Sequence, residues 1–204
     1  MLIGIDFDNT IAGYDQVFPS AAVAEGLLKK NEATSKHQVR ELLRKQPSGE
    51  QNWMRLQGQV YGKLMAQAEM IEGVEQFLLH CKAASIPVCV VSHKTEFGHF
   101  DTDKVNLRDA AVSWMVSKGF FETGRFGITQ DNVYFRSTRE EKVACIAKLR
   151  CTHFIDDLDE VFAETGFPNT TIKYLLSADS TENRDDGLKP YRTWAEISED
   201  IFAE

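Results

Sequence analysis

The stretch Ile5-Asp6-Phe7-Asp8-Asn9-Thr10 places two carboxylates one residue apart, directly after a short apolar run. On an extended strand that spacing turns both carboxylates to one side. A second acidic pair, Asp156-Asp157, closes the run Thr152 to Ile155 in the same manner. Four carboxylates in one crevice resist simultaneous ionisation, and a hard divalent cation relieves that repulsion. Magnesium fits an all-oxygen donor set and leaves coordination positions for a phosphate oxygen.

The chemistry such a group can do is phosphoryl transfer, which needs an in-line nucleophile, a proton donor for the leaving oxygen, and positive charge on the transferring group. Asp6 can attack phosphorus to give an aspartyl-phosphate, while Asp8 protonates the leaving alcohol and then activates water. Ser92, at the end of the run Val88 to Val91, can bind a phosphate oxygen, and so can Thr10. Lys142 follows two capping-box spacings, Ser137 to Glu140 and Thr138 to Glu141, which puts it in the first turn of a helix. There its ammonium adds to the positive helix end and can neutralise both a phosphate and Asp6. His93 and Lys94 are further candidates to touch phosphate or substrate, although His93 is equally a polar residue satisfied within a loop.

These groups are useful only if strands bring them together. Apolar runs predict strands at Leu2 to Ile5, Pro87 to Val91, Asn132 to Phe135, Thr152 to Ile155 and Thr171 to Leu175. Between them, three-and-four spacing predicts amphipathic helices, as at Val74, Phe77, Leu78 and Cys81, or at Leu107, Ala110, Ala111, Trp114 and Met115. Alternating strands and helices imply right-handed crossovers and a doubly wound, Rossmann-like parallel α/β sheet. Ligands of such sheets bind beyond the strands' carboxyl ends, where Asp6, Asp8, Asp156 and Asp157 all fall.

Residues 14–70 contain no strand pattern. Trp53, Leu56, Val60, Leu64 and Ala68 form a helical stripe with Tyr61 and Met65 beside it, and Pro47-Ser48-Gly49 separates it from the stripe of Val39, Leu42 and Leu43. The segment reads as a helical insertion, a small cap, in a core made of 1–13 and 71–204. The Trp53, Tyr61 and Met65 stripe is expected to be cap core, with Arg40, Arg44 and Arg55 solvated. A polar loop is expected at Ser177 to Gly187, ahead of a closing segment at Tyr191 to Phe202. His99, Asp101 and Asp103 fit a helix start better than a metal site.

The 204 residues are 43% hydrophobic and 26% charged, as for a globular protein with a real core. A net charge of -8 argues against nucleic acid or an anionic membrane as partner. The cysteines Cys81, Cys89, Cys145 and Cys151 contain no C-x-x-C pair and are read as reduced thiols. The opening apolar run is too short for a signal peptide and no run suits a membrane span, so the expected location is the cytoplasm. Oligomeric state leaves no mark in the sequence.

Taken together, these residues resemble the haloacid dehalogenase superfamily of phosphohydrolases. Its first motif, D-x-D-x-[TV], stands here as Asp6-Phe7-Asp8-Asn9-Thr10; its second resembles Val90-Val91-Ser92, its third Lys142, and its fourth Phe154-Ile155-Asp156-Asp157. The insertion at 14–70 is placed like that family's first-type helical cap. The resemblance implies a magnesium ion held by the Asp6 side chain, the Asp8 backbone carbonyl, and Asp156 or Asp157. Many members carry a further acid three or four residues after the fourth-motif aspartate; Asp159, Glu160 and Glu164 match that only approximately. Asp8, absent from true dehalogenases, speaks for phosphate esters. The implied activity is hydrolysis of a small phosphorylated metabolite. Transfer to another hydroxyl, as in a mutase, and an idle module that binds a phospho-ligand or a partner are the alternatives.

Overall fold

Ile3 and Ile5 are fully buried, and the strand they anchor is flanked by partners on both edges. In chain order the elements are β1 (Ile3–Ile5), β2 (Ala12–Gly13), α1 (Val17–Ala24), α2 (Lys36–Arg44), α3 (Gly49–Tyr61), β3 (Glu69–Met70), α4 (Val74–Ala83), β4 (Val88–His93), α5 (Leu107–Ser117), β5 (Val133–Arg136), α6 (Arg139–Leu149), β6 (His153–Asp156), α7 (Asp159–Phe162), β7 (Ile172–Leu176), β8 (Pro190–Tyr191) and α8 (Trp194–Phe202). This is a computed structural model; it describes residues 1–100, 103–177 and 188–203.

Six strands form one parallel sheet in the order β5-β4-β1-β6-β7-β8. All five strands expected from the apolar runs are present, shifted by a residue or two. The chain fills one side of β1 with β4 and β5, then crosses over to place β6 on the other side, so β1 and β6 border a topological switch point. Ile5 is level with Val90 on β4 and with Ile155 on β6. The residues that follow on these three strands therefore emerge side by side.

Gly4 shows why the centre of the sheet tolerates so little. A Cβ there would lie 2.6 Å from Phe154 Cδ2 and 3.0 Å from Cys151 Sγ. Gly4→Ala is expected to lower the unfolding free energy by about 1–3 kcal/mol through overpacking, read as a shift of the urea midpoint with unchanged slope.

The four cysteines are free and buried. Burial pushes the Cys81 thiol up to about 12. All four thiols are buried, so the folded protein should react with a thiol reagent at neutral pH far more slowly than the unfolded chain, in which all four become accessible.

The chain divides into two compact units. One comprises Met1–Ala12, Met70–Lys94 and Gly119–Glu204, and contains the six-stranded sheet. The other comprises Gly13–Glu69 and Thr95–Lys118. This differs from the sequence boundaries, which gave 95–118 to the core. The cause is local: the buried Trp114 indole N–H donates to the Ala68 carbonyl at 2.8 Å, and Gly62 lies against Val105 and Leu107, so α5 groups with the helices of the insertion.

Within that second unit, Trp53 and Met65 are buried, Trp53 stacks on Phe18 at 4.9 Å, and the Tyr14 hydroxyl meets Met65 Sδ at 3.3 Å. The stripe is interior, as expected. It is not one helix, however: α3 ends at Tyr61, and Met65–Gln67 form a separate 3₁₀ turn. Of the expected polar loop, Ser177 is described and donates its N–H to the Tyr191 carbonyl at 2.8 Å; 178–187 lie outside the described residues, as does Asp101.

Candidate active site

Every residue of the candidate site lies in the unit that contains the large sheet. Asp6 directly follows β1 and is 4% exposed. Its backbone N–H donates to the Ile155 carbonyl at 2.9 Å, so the ladder with β6 extends one residue further and sets the direction of the side chain. After it the chain reverses tightly. The Ile11 and Ala12 N–H groups both donate to the Phe7 carbonyl, and Asn9 adopts a positive φ of 60°, a conformation Asn accepts more readily than most residues.

Opposite Asp6 stands Lys142, 1% exposed. Thr138 caps α6, its hydroxyl accepting from the Glu141 N–H at 3.1 Å, while the Glu141 carboxylate accepts from the Ser137 N–H at 2.8 Å. Of the two capping registers in the sequence, the structure adopts the one starting at Thr138. Lys142 thereby enters the first turn with its ammonium 2.6 Å from Asp6 Oδ1 and 2.6 Å from Asp156 Oδ2. Burial pulls this ammonium down, but Asp156 and Asp6 together outweigh burial and hold it above the usual lysine range. Burial raises the Asp156 carboxyl; Lys142 opposes the rise and the neighbouring Asp6 charge adds to it.

Asp156 and Asp157 take different partners. Asp156 accepts from Lys142 and from the Leu158 N–H at 3.1 Å. Asp157 turns to the reversed loop, accepting from Asn9 Nδ2 at 3.2 Å and Thr10 Oγ1 at 3.5 Å. The Thr10 hydroxyl thus faces a carboxylate. Ser92, 1% exposed, is the contrasting case: its Oγ is buried with no hydrogen-bond partner, the one such side-chain atom among the described residues. A buried polar atom left unsatisfied costs free energy, and a ligand oxygen would satisfy it.

Strand periodicity separates the next two residues. His93 is exposed and its Nε2 lies 3.0 Å from the Ser137 carbonyl, whereas Lys94, 3% exposed, returns to the side of Ser92 and pairs with Asp8 at 2.8 Å. The sequence offered Lys94 as a contact to phosphate or substrate and not as a partner of Asp8; its alternation with Ser92 was the available signal.

Trp194 of α8 gave no sequence signal at all. Its indole N–H donates to the Thr10 carbonyl at 2.9 Å, and its ring lies against Phe77 at 4.9 Å.

No protein-family model and no curated protein sequence matches this chain. Its backbone, however, is similar to solved structures over almost its whole length. A haloacid dehalogenase (HAD) family hydrolase from Deinococcus radiodurans, solved with bound phosphate and sodium, superposes with a TM-score of 0.58 at 15% identity, covering 98% of this chain and 94% of that one. The chain has the haloacid dehalogenase-like fold. CbbY from Rhodobacter sphaeroides, in complex with phosphate, gives 0.54 at 13% identity, covering 96% and 95%. The Mycobacterium tuberculosis Protein Tyrosine Kinase A gives 0.61 at 15% identity, covering 98% and 97%. At such identities the haloacid dehalogenase-like likeness concerns architecture, and the chemistry has to be argued from the side chains.

Those side chains also suit a divalent ion. Oxygens of Asp6, Asp156 and Asp157 lie within 4.8 Å of one another, and among the described residues no other His, Cys, Asp or Glu joins that group. The Asp8 carboxylate is engaged by Lys94. Asp159, Glu160 and Glu164, the approximate matches for a further acid, stand outside the cluster. Counting Asp6, Asp8, Asp156 and Asp157 as carboxylates against the ammonium groups of Lys94 and Lys142 leaves two negative charges over, the charge a magnesium ion balances.

Proposed function

We propose that this protein is a magnesium-dependent phosphatase that hydrolyses a small phosphomonoester through an aspartyl-phosphate at Asp6. The observation that carries the reading is the convergence, beyond three adjacent strands, of the Asp6–Lys142 pair, the acidic cluster and the unsatisfied Ser92 hydroxyl. Two of the similar structures were solved with bound phosphate, which supports a phosphate-binding role.

In the first half-reaction an Asp6 oxygen bonds to phosphorus as the ester P–O bond breaks, and protonated Asp8 gives its proton to the leaving oxygen. In the second, the Asp8 carboxylate takes a proton from water while that water bonds to phosphorus. The Asp6–phosphorus bond breaks, releasing phosphate. Ser92 and Lys142 hold equatorial phosphate oxygens, and Lys142 keeps Asp6 in line. Asp6, with Asp156 or Asp157, would hold magnesium, which when bound neutralises charge on the transferring group. His93 and Thr10 are at most secondary contacts, since each already faces another group. The helical insertion at 14–70, which follows Thr10 and precedes Ser92 in the chain, is the proposed cap. The proposed substrate is a small phosphorylated metabolite.

The test is release of phosphate from nitrophenyl phosphate together with formation of a beryllofluoride adduct. Both are expected with magnesium and neither without it. Absence of magnesium binding and of the adduct would favour an idle binding module. An added acceptor alcohol that diverts phosphate into a new ester would favour a transferase.

A further inference from the structure

The ion pair between Lys94 and Asp8 is not used by the mechanism above. The ammonium lies 2.8 Å from one Asp8 oxygen and 3.1 Å from the other, so it straddles the carboxylate. Lys94 is 3% exposed. Its own backbone is held, because the Lys94 N–H donates to the Arg136 carbonyl at 2.8 Å and continues the β4–β5 ladder beyond His93. Its ammonium also lies 5.6 Å from the centre of the Phe7 ring, the residue between the two aspartates. A buried ammonium on a strand-anchored stem, in contact with both oxygens of one carboxylate, leaves that carboxylate few orientations.

We propose that Lys94 is a positioning residue for Asp8, and neither a phosphate ligand nor a substrate contact. This rests on the phosphatase reading, in which Asp8 serves the leaving oxygen and then water. Lys94 contributes twice. It fixes the direction of the Asp8 carboxyl, and it places a positive charge beside the carboxylate that remains once the proton has gone to the leaving oxygen. Phosphate itself is left to Lys142, which contacts Asp6, and to the unsatisfied Ser92 hydroxyl.

The two roles separate by leaving group. A nitrophenolate departs without help, so acid assistance matters little; an alkoxide needs its proton at the transition state. Removing Lys94 should therefore damage the first half-reaction of the alkyl ester, spare that of the aryl ester, and slow the second half-reaction, which both esters share. Lys94→Met keeps the stem's volume, and Lys94→Gln retains an N–H donor without the charge. In Lys94→Met, kcat for ethyl phosphate should fall about ten- to hundredfold with KM not raised, while the single-turnover burst of nitrophenolate, which needs no acid, should keep the wild-type rate. Lys94→Gln should lie between. A slowed nitrophenolate burst, or a loss expressed mainly as raised KM, would make Lys94 a phosphate ligand and overturn the proposal. Unchanged rates on both would overturn it as well. Failure of the wild type to hydrolyse either ester would instead overturn the phosphatase reading, and this inference with it.

Discussion

Asp6→Asn is expected to lower turnover of nitrophenyl phosphate by on the order of 10⁴ to 10⁶, to what phosphate binding alone supplies. The amide has the shape of the carboxylate but is no nucleophile toward phosphorus, so the covalent route closes without a cavity opening. The fold should not suffer. Asp6 adds to the crowding of negative charge that, with burial, raises Asp156, and Lys142 keeps its 2.6 Å contact with Asp156 in the variant. The metal-free variant should therefore melt at or above the wild-type temperature, since functional carboxylates held close together are a cost to stability. Rates by phosphate release and melting by circular dichroism decide it. A stable variant with full activity would remove Asp6 from its role as nucleophile.

Lys142→Met should strike activity and stability together. The ammonium serves both Asp6 and Asp156, each of them buried. Removing one partner of a buried ion pair costs about 3–5 kcal/mol, because a charge is left without compensation. Catalysis should fall by about 10² to 10³, the loss seen when one preorganised donor is taken from a transition state. The stability defect should depend on pH, with a definite sign. Asp156 has its folded value raised by burial above the ordinary 3.8, and loss of Lys142 removes the charge that opposed the rise. Its carboxyl then holds a proton in the folded state at pH values where the unfolded chain has released one, so stability is present at low pH and lost as pH rises through the folded value. Urea unfolding of the variant at pH 5 and pH 8 checks this: the gap to wild type should be narrower at pH 5. An equal gap would mean that Lys142 does not oppose the rise of the Asp156 carboxyl.

What the sequence disclosed of this site follows from how local each signal is. Asp6, Asp8 and Asp156 sit directly after short apolar runs, and Ser92 closes one, so a strand-end position could be read from neighbouring residues alone. Lys142 was equally local, given away by the cap at Thr138. Lys94 was half legible: alternation put it on Ser92's side, but a pairing with Asp8 spans 86 residues and has no pattern in the chain. The Trp194 contact to Thr10 spans 184 residues, and nothing near either residue announces it. For the same reason α5 was given to the sheet unit: its apolar spacing fixes which face is covered but not which neighbour covers it. Asp156 and Asp157 were indistinguishable as adjacent acids. Only the fold sends one to an ammonium and the other to the loop at Asn9 and Thr10.

The hydrogen bond from Trp194 to Thr10 also orders events during synthesis. The reversed loop leaves the ribosome early, yet the indole that holds its carbonyl follows 184 residues later. At roughly 5–20 residues per second that is a delay on the order of ten to forty seconds. Through that interval the nascent chain carries its first acidic loop without its last tether, and nascent chains stalled before Trp194 should expose residues 6–12 to proteases that the released protein resists.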